Sequence, residues 1–206
     1  MTQLIIIRHG QTEWNRVERF RGRTDIDLDE IGRKQADVTA RRIIEWPVSL
    51  LYYSPLKRTE TAAGIIARKL SLKMLPLPGI MDIDYGTWQG LTPEEAKAKN
   101  SALYNLWMKS PHLAKFPEGE SLEQLRVRAG KSVDDIVQNH PEETIALVTH
   151  KTVIQILILH LLKLDNSRFW QIWQDVSSIN VFEVKDGSAY ARLINDTCHL
   201  NLSKEA

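Results

Sequence analysis

Four apolar residues, Leu4-Ile5-Ile6-Ile7, stand together near the start of the chain, and polar residues begin abruptly at Arg8. A short continuous apolar run predicts a strand buried on both faces, inside a parallel sheet and not at a wet edge. Residues 144–149, Thr-Ile-Ala-Leu-Val-Thr, repeat the construction, and His150 follows them at once. Between and after these runs the spacing changes to that of helices. Asp29 is a predicted N-cap for a helix carrying Ile31, Val38 and Ile43 that ends at Trp46-Pro47. A second strand is expected over residues 48–53. Ser54-Pro55 then sets an N-cap beside a proline at the first helical position, opening a helix that buries Leu56, Ala63, Ile66 and Leu70.

A third strand is predicted over residues 72–77, then a loop over 80–90 whose glycines, aromatics and carboxylates imply a definite shape. Residues 93–110 read as polar helix, with Leu103, Leu106 and Trp107 inward. Ser121 and Gln124 have capping-box spacing ahead of the stripe Leu122, Leu125, Ala129, Val133 and Ile136. An apolar helix is expected over 152–164. Strands over 178–184 and 189–194 flank a hairpin turn at Lys185-Asp186-Gly187-Ser188. The alternation predicts an α/β three-layer sandwich: a mainly parallel central sheet flanked by helices on both faces, with an antiparallel finish.

Composition narrows the partners. At 206 residues, with no linker-like stretch, the chain reads as one domain over 1–206. A formal charge of +1 is not that of a protein built for long polyanions. Arg16, Arg19, Arg21 and Arg23 interleave with Glu13, Glu18, Asp25 and Asp27, a mixed-charge loop with only Phe20 for stacking, so no nucleic-acid partner is expected. With Asn15, some of these arginines are expected to face a small anionic substrate. No apolar stretch is long enough to span a bilayer, and no membrane partner is expected. Cys198 is the only cysteine, which excludes an internal disulfide and fits a reducing cytoplasm. Six tryptophans, and Phe169-Trp170 with Trp173, lead us to expect a homodimer.

The repeated strand-then-histidine carries the chemistry. If the two strands are parallel neighbours, His9 and His150 meet at one sheet edge, where open α/β proteins bind ligands. Arg8 belongs to the same edge, and Arg58 falls in a first helical turn, where the dipole disfavours a cation unless an anion lies nearby. The Cys and His spacings form no metal-ligand cluster, and adjacent arginines repel a cation. A phosphate, with roughly −1.5 to −2 charges, is the better occupant.

At this point the residues resemble a known family. Arg8-His9-Gly10-Gln11-Thr12-Glu13-Trp14-Asn15 is similar to the signature of the histidine phosphatase superfamily, which includes the cofactor-dependent phosphoglycerate mutases. Ser54-Pro55-Leu56-Lys57-Arg58-Thr59, Gly86-Thr87-Trp88-Gln89-Gly90, Gly119-Glu120-Ser121 and Thr149-His150 extend the resemblance, in order, over nearly the whole chain. Pro111-His112 and Asn195-Asp196-Thr197-Cys198-His199-Leu200 resemble the metal-independent phosphoserine phosphatases more narrowly. The resemblance implies a phosphohistidine formed on His9, with Arg8, Arg58 and His150 holding the non-bridging oxygens. It also implies Asn15 as a neutral donor, Gly10 as the point of close backbone approach, and no metal or other cofactor. The family's proton donor is a glutamate four residues before the glycine of Gly-x-Trp, and here that position is Asp82, one methylene shorter. Asp84 is read as a structural loop carboxylate.

Three positions depart from the pattern. Tyr85 stands where those phosphoserine phosphatases would carry a histidine against the amino-acid moiety, Lys151 where glycine is common, and Arg21 where a small residue or an amide is frequent. The expected activity is hydrolysis of a small phosphomonoester, phosphoserine or a similar metabolite. The alternatives are a phosphoglycerate mutase, a magnesium-dependent enzyme using Asp82-Ile83-Asp84 as Asp-x-Asp, and a catalytically degenerate phosphate-binding subunit. His112, His140, His160 and His199 are expected to be structural.

Overall fold

The computed structural model describes residues 1–201. In chain order they form β1 (Thr2–Arg8), α1 (Glu13–Arg16), α2 (Glu30–Ile43), β2 (Val48–Tyr53), α3 (Lys57–Leu70) and β3 (Met74–Pro76). Next come α4 (Pro93–Lys99), α5 (Ser101–Lys109), α6 (Leu122–Asn139), β4 (Thr144–Thr149) and α7 (Lys151–Leu161). The antiparallel pair β5 (Ile179–Lys185) and β6 (Ser188–Asp196) and the short α8 (Cys198–Asn201) finish the described chain. The six strands lie in the order β3-β2-β4-β1-β5-β6. β3, β2, β4 and β1 run parallel, while β5 pairs antiparallel with β1 and β6 with β5.

Alternate side chains of the two central strands point to opposite faces, and each face has its own core. Leu4 and Ile6 of β1 and Ile145 and Leu147 of β4 pack with Leu125, Val133 and Ile154 from α6 and α7. Ile5, Ile7, Ala146 and Val148 pack with Ala36, Ala40, Ala63 and Ile66 from α2 and α3. The three expected layers are present, and their reason is period two in a strand with helices on both sides.

Several element boundaries differ from expectation. In α2 the buried positions are Gly32, Ala36, Thr39, Ala40 and Ile43, while Ile31 is exposed. Gly32 packs against the Gln11 backbone and Thr39 against His199, while Ala36 and Ala40 join the core shared with Ala63 and Ile66 of α3. Residues 93–110 are two helices, divided at Asn100, which caps α5 through Leu103 N–H. β3 is only three residues long, and β2 alone flanks it. α3 begins at Lys57, not at Ser54-Pro55, since Ser54 is engaged elsewhere.

Candidate active site

The ladder between β1 and β4 pairs Arg8 with Thr149. The next residue of each strand is a histidine, and their rings lie 5.3 Å apart, centre to centre, at 63°. The loop leaving β1 turns across the first turn of α2 so closely that a Cβ on Gly10 would sit 2.4 Å from the Gly32 carbonyl oxygen. Packing against α2, rather than approach to a ligand, is therefore what demands glycine at this position. Beyond it, Asn15 Oδ1 accepts from Thr12 N–H and from Thr12 Oγ1, which leaves its amide nitrogen available to the cleft it lines.

Hydrogen bonds fix the histidine tautomers. His9 Nδ1 is 2.7 Å from the Gly10 carbonyl oxygen, which can only accept, so Nδ1 carries the proton and Nε2 keeps its lone pair. His150 Nδ1 accepts from Arg58 Nε–H at 3.2 Å, so its Nε2–H donates to Ser54 Oγ at 2.7 Å. Burial is the first cause that pushes both imidazoles well below the usual histidine range, and the Arg58 charge adds to it. Both rings are held neutral.

Arg58 has no exposed surface. It donates to the carbonyls of Thr24 and Gly22, at 2.8 and 2.7 Å, and to Asp82 Oδ2 at 3.2 Å. Arg58 and His150 thus sit behind the cleft, and their polar atoms engage protein partners. The expectation is that both grip phosphate oxygens; in this structure both side chains are covered and bonded to protein groups. Arg8 is different. Its Nη1 donates to the Gln174 carbonyl at 2.7 Å, its buried Nε has no partner, and it lines the cleft. Burial, with Arg21 nearby, lowers its affinity for its proton to a pKa of about 9, the mark of a charge lacking its counterion.

Asp82 faces this group. Its Oδ1 accepts from Ile83 N–H at 3.0 Å, and its Oδ2 lies 3.8 Å from His150 Nδ1. Desolvation raises its pKa although Arg58 and Arg21 pull the other way, so burial prevails over the cations. In water a neutral histidine and a protonated aspartate hardly coexist, because they titrate near pH 6.5 and 3.9. Here one shifts down and the other up, which narrows the gap between the two states.

The loop bearing Asp82 is held from below. Arg128 donates to the carbonyls of Gly79, Met81 and Asp82 and pairs with Glu120, whose carboxylate also accepts from Asp84 N–H. Gly86, at φ +50°, packs so tightly on residues 117–119 that a Cβ would lie 1.9 Å from the Pro117 oxygen. Asp84 accepts from Gly86 N–H and lies near Arg23, a structural arrangement as expected.

The cleft has a volume of about 760 Å³ and is lined by Arg8, His9, Asn15, Arg21, Asp82 and Tyr85, among others. Tyr85 is buried, its hydroxyl 3.3 Å from Thr152 Oγ1, and its ring packs on Phe20 and Phe116. Phe20 is therefore half-buried in an aromatic cluster and not an exposed stacking platform. A larger groove, about 1180 Å³, runs past Arg41 and His199 along α2 but contains neither strand-end histidine. His199 is buried against Thr39 Oγ1. Sequence reasoning missed Ser54, Gln174 and the contact of Lys151 Nζ with the Trp173 ring, 4.4 Å from its centroid. The Ser-Pro pair that signals a helix cap concealed the first, and only tertiary contact reveals the others.

A sheet edge presenting one free imidazole nitrogen, an arginine without an ion-pair partner and a buried carboxyl whose pKa is raised has the groups that nucleophilic phosphoryl transfer needs. The comparisons agree. The sequence profile of the histidine phosphatase superfamily (branch 1) matches residues 4–197. Phosphoserine phosphatase 1 of Hydrogenobacter thermophilus is 34% identical over 97% of this chain and 95% of its own length. Among solved structures, Bacillus stearothermophilus YhfR superposes with a TM-score of 0.92 at 26% identity, over 97% of this chain and 100% of that one. A phosphoserine phosphatase mutant from Entamoeba histolytica, in complex with phosphoserine, gives a TM-score of 0.87 at 29% identity, over 97% and 100% of the two chains. The chain belongs to the histidine phosphatase superfamily. It is a phosphomonoesterase of the histidine type.

Proposed function

We propose that the protein hydrolyses phosphoserine or a similar small phosphorylated metabolite, without a metal, through a phosphohistidine on His9. His9 Nε2 attacks phosphorus in line. The bond from phosphorus to the ester oxygen breaks, and Asp82 gives its proton to the departing alkoxide. Water then attacks the phosphohistidine, Asp82 takes a proton from that water, and inorganic phosphate leaves with His9 restored. Neutral imidazole approaches the dianionic ester without charge repulsion. Arg8 meets the non-bridging oxygens, and Arg58 adds its charge from behind the cleft. His150, locked between Arg58 and Ser54, holds this arrangement together.

The observation that carries this reading is the bond from His9 Nδ1–H to the Gly10 carbonyl, which commits the proton and leaves Nε2 unprotonated at the cleft. The relatives whose names describe phosphoserine phosphatases support the choice of substrate. Trp170 and Trp173, 40% and 63% exposed, line the cleft mouth, so their exposure has a use other than the expected homodimer. The test is a panel of phosphorylated metabolites assayed with and without EDTA, together with acid-quench trapping of labelled phosphoenzyme. Turnover of phosphoserine in EDTA with an acid-labile adduct is expected. Activity that vanishes in EDTA and returns with magnesium would overturn the reading.

A further inference from the structure

The cleft lining carries four cations, Arg8, Arg19, Arg21 and Lys151, and four carboxylates, Glu18, Asp82, Glu94 and Asp175. Arg8 and Arg58 serve the phosphorus site. Beyond them Arg19 pairs with Glu95, whereas Arg21 and Lys151 form no ion pair among the described residues. Arg21 makes one hydrogen bond, from Nη1 to the Trp14 carbonyl at 3.1 Å. Lys151 makes none. It opens α7, directly after His150, where the helix dipole already disfavours a positive charge. Its ammonium is held over the Trp173 ring, 4.4 Å from the centroid. Trp173 is in turn fixed by its Nε1–H, which donates to Asp175 Oδ1 at 2.9 Å. A carboxylate partner would cancel the charge of Lys151, whereas an aromatic face positions the ammonium and leaves its charge in place.

We propose that Lys151, seated on Trp173 and assisted by Arg21, binds a carboxylate on the substrate, and so selects phosphorylated acids over phosphate esters of neutral or cationic alcohols. The inference rests on the phosphatase reading above and gives it a substrate class. A carboxylate fits better than a second phosphate. Glu18 and Asp175 act on Lys151 electrostatically against Arg8 and Arg21, and a monoanion meets less repulsion from those carboxylates than a phosphate dianion would. Burial and the charges of Arg8 and Arg21 make Lys151 easier to deprotonate than usual, strain that a bound carboxylate relieves. Trp173 is a positioning residue here, since it acts through the ammonium it carries.

The test uses two matched pairs: phosphoserine against phosphoethanolamine, and 3-phosphoglycerate against glycerol phosphate. Within each pair the second member lacks the carboxylate, and only the first pair carries an ammonium. The wild-type enzyme is expected to favour the acid in both pairs through KM. Lys151→Met should reduce that preference about tenfold to a hundredfold, the range for a charge-assisted hydrogen bond, with kcat moving much less. Lys151→Arg should restore most of it, and Trp173→Leu should show a smaller loss of the same kind. Equal loss on both members of each pair in Lys151→Met, or no preference in the wild type, would overturn the subsite. Acid-labile phosphoenzyme formed from p-nitrophenyl phosphate separates the two claims. Its presence beside a failed preference defeats only the subsite, while its absence defeats the phosphatase reading as well.

Discussion

The ends of β1 and β4 are built alike: an apolar strand, a polar residue, then a buried histidine. Their neighbours make them different. The His9 ring has one hydrogen bond, to its own loop, and keeps a nitrogen free at the cleft. The His150 ring has both nitrogens occupied, by Arg58 and Ser54, and does not reach the cleft lining. Equivalent positions in one sheet thus present one imidazole nitrogen without a hydrogen-bond partner and one ring bonded on both sides, which is the basis for proposing a nucleophile and a fixed support. The partner on each nitrogen decides the role, and the residue type does not.

The largest expected effect breaks this pair outright. His9→Ala should reduce turnover to background and abolish the acid-labile phosphoenzyme, with an unaltered far-ultraviolet circular dichroism spectrum. Labelled phosphate still trapped on that variant would reverse the assignment of the two histidines.

Next in size is the proposed proton donor, Asp82. Asp82→Asn should lower the rate on phosphoserine by about 10²–10⁴, the usual contribution of general acid catalysis. Hydrolysis of p-nitrophenyl phosphate should fall far less, because p-nitrophenolate leaves without a proton. Asp82→Glu should keep phosphoserine activity if reach is the only difference. Equal losses on both esters in Asp82→Asn would make the residue a loop support, and selective loss in Asp84→Asn would move the acid role there.

The supporting histidine gives a smaller effect. Ser54→Ala leaves His150 Nε2–H buried without its acceptor, which should cost about 1–3 kcal/mol of stability by urea denaturation. Phosphoenzyme should still form. If it does not, His150 does more than support.

The smallest effects are in pH. Burial and Arg58 lower the His9 pKa, so its neutral form persists below pH 6.5 and the acid limb of kcat/KM should fall below the ordinary histidine range. Burial raises the Asp82 pKa, so the protonated acid persists above the ordinary carboxylate range, and the alkaline limb should move upward with it. That alkaline limb should appear with phosphoserine and fade with p-nitrophenyl phosphate. Identical profiles on both esters would show that Asp82 is not the group titrating.

Much of the fold was legible because burial on two faces leaves a strong mark. Leu4 to Ile7 and residues 144–149 are apolar without a break, since the central strands β1 and β4 lie under helices on both sides. The stripe from Leu122 to Ile136 was legible for the matching reason in a helix with one buried face. The buried face of α2 was not, because its close contacts, Gly32 on the Gln11 backbone and Ala36 and Ala40 in the core shared with α3, use small residues that hydrophobic spacing barely registers. The break at Asn100 likewise looked like one more polar position in a polar helix.

Which residues could do chemistry here is readable along the chain: two histidines after two strands, Arg8, Arg58 and a carboxylate in a shaped loop. The sequence also carried the family signature, because those residues lie in short contiguous motifs. The tertiary structure alone decided how they divide the work. The burial that raises Asp82, the covering of Arg58, the partners of His150 and the seat of Lys151 on Trp173 all depend on groups distant in sequence. Hydrogen bonding and desolvation act through space, and a linear pattern records the groups available to them but not their partners.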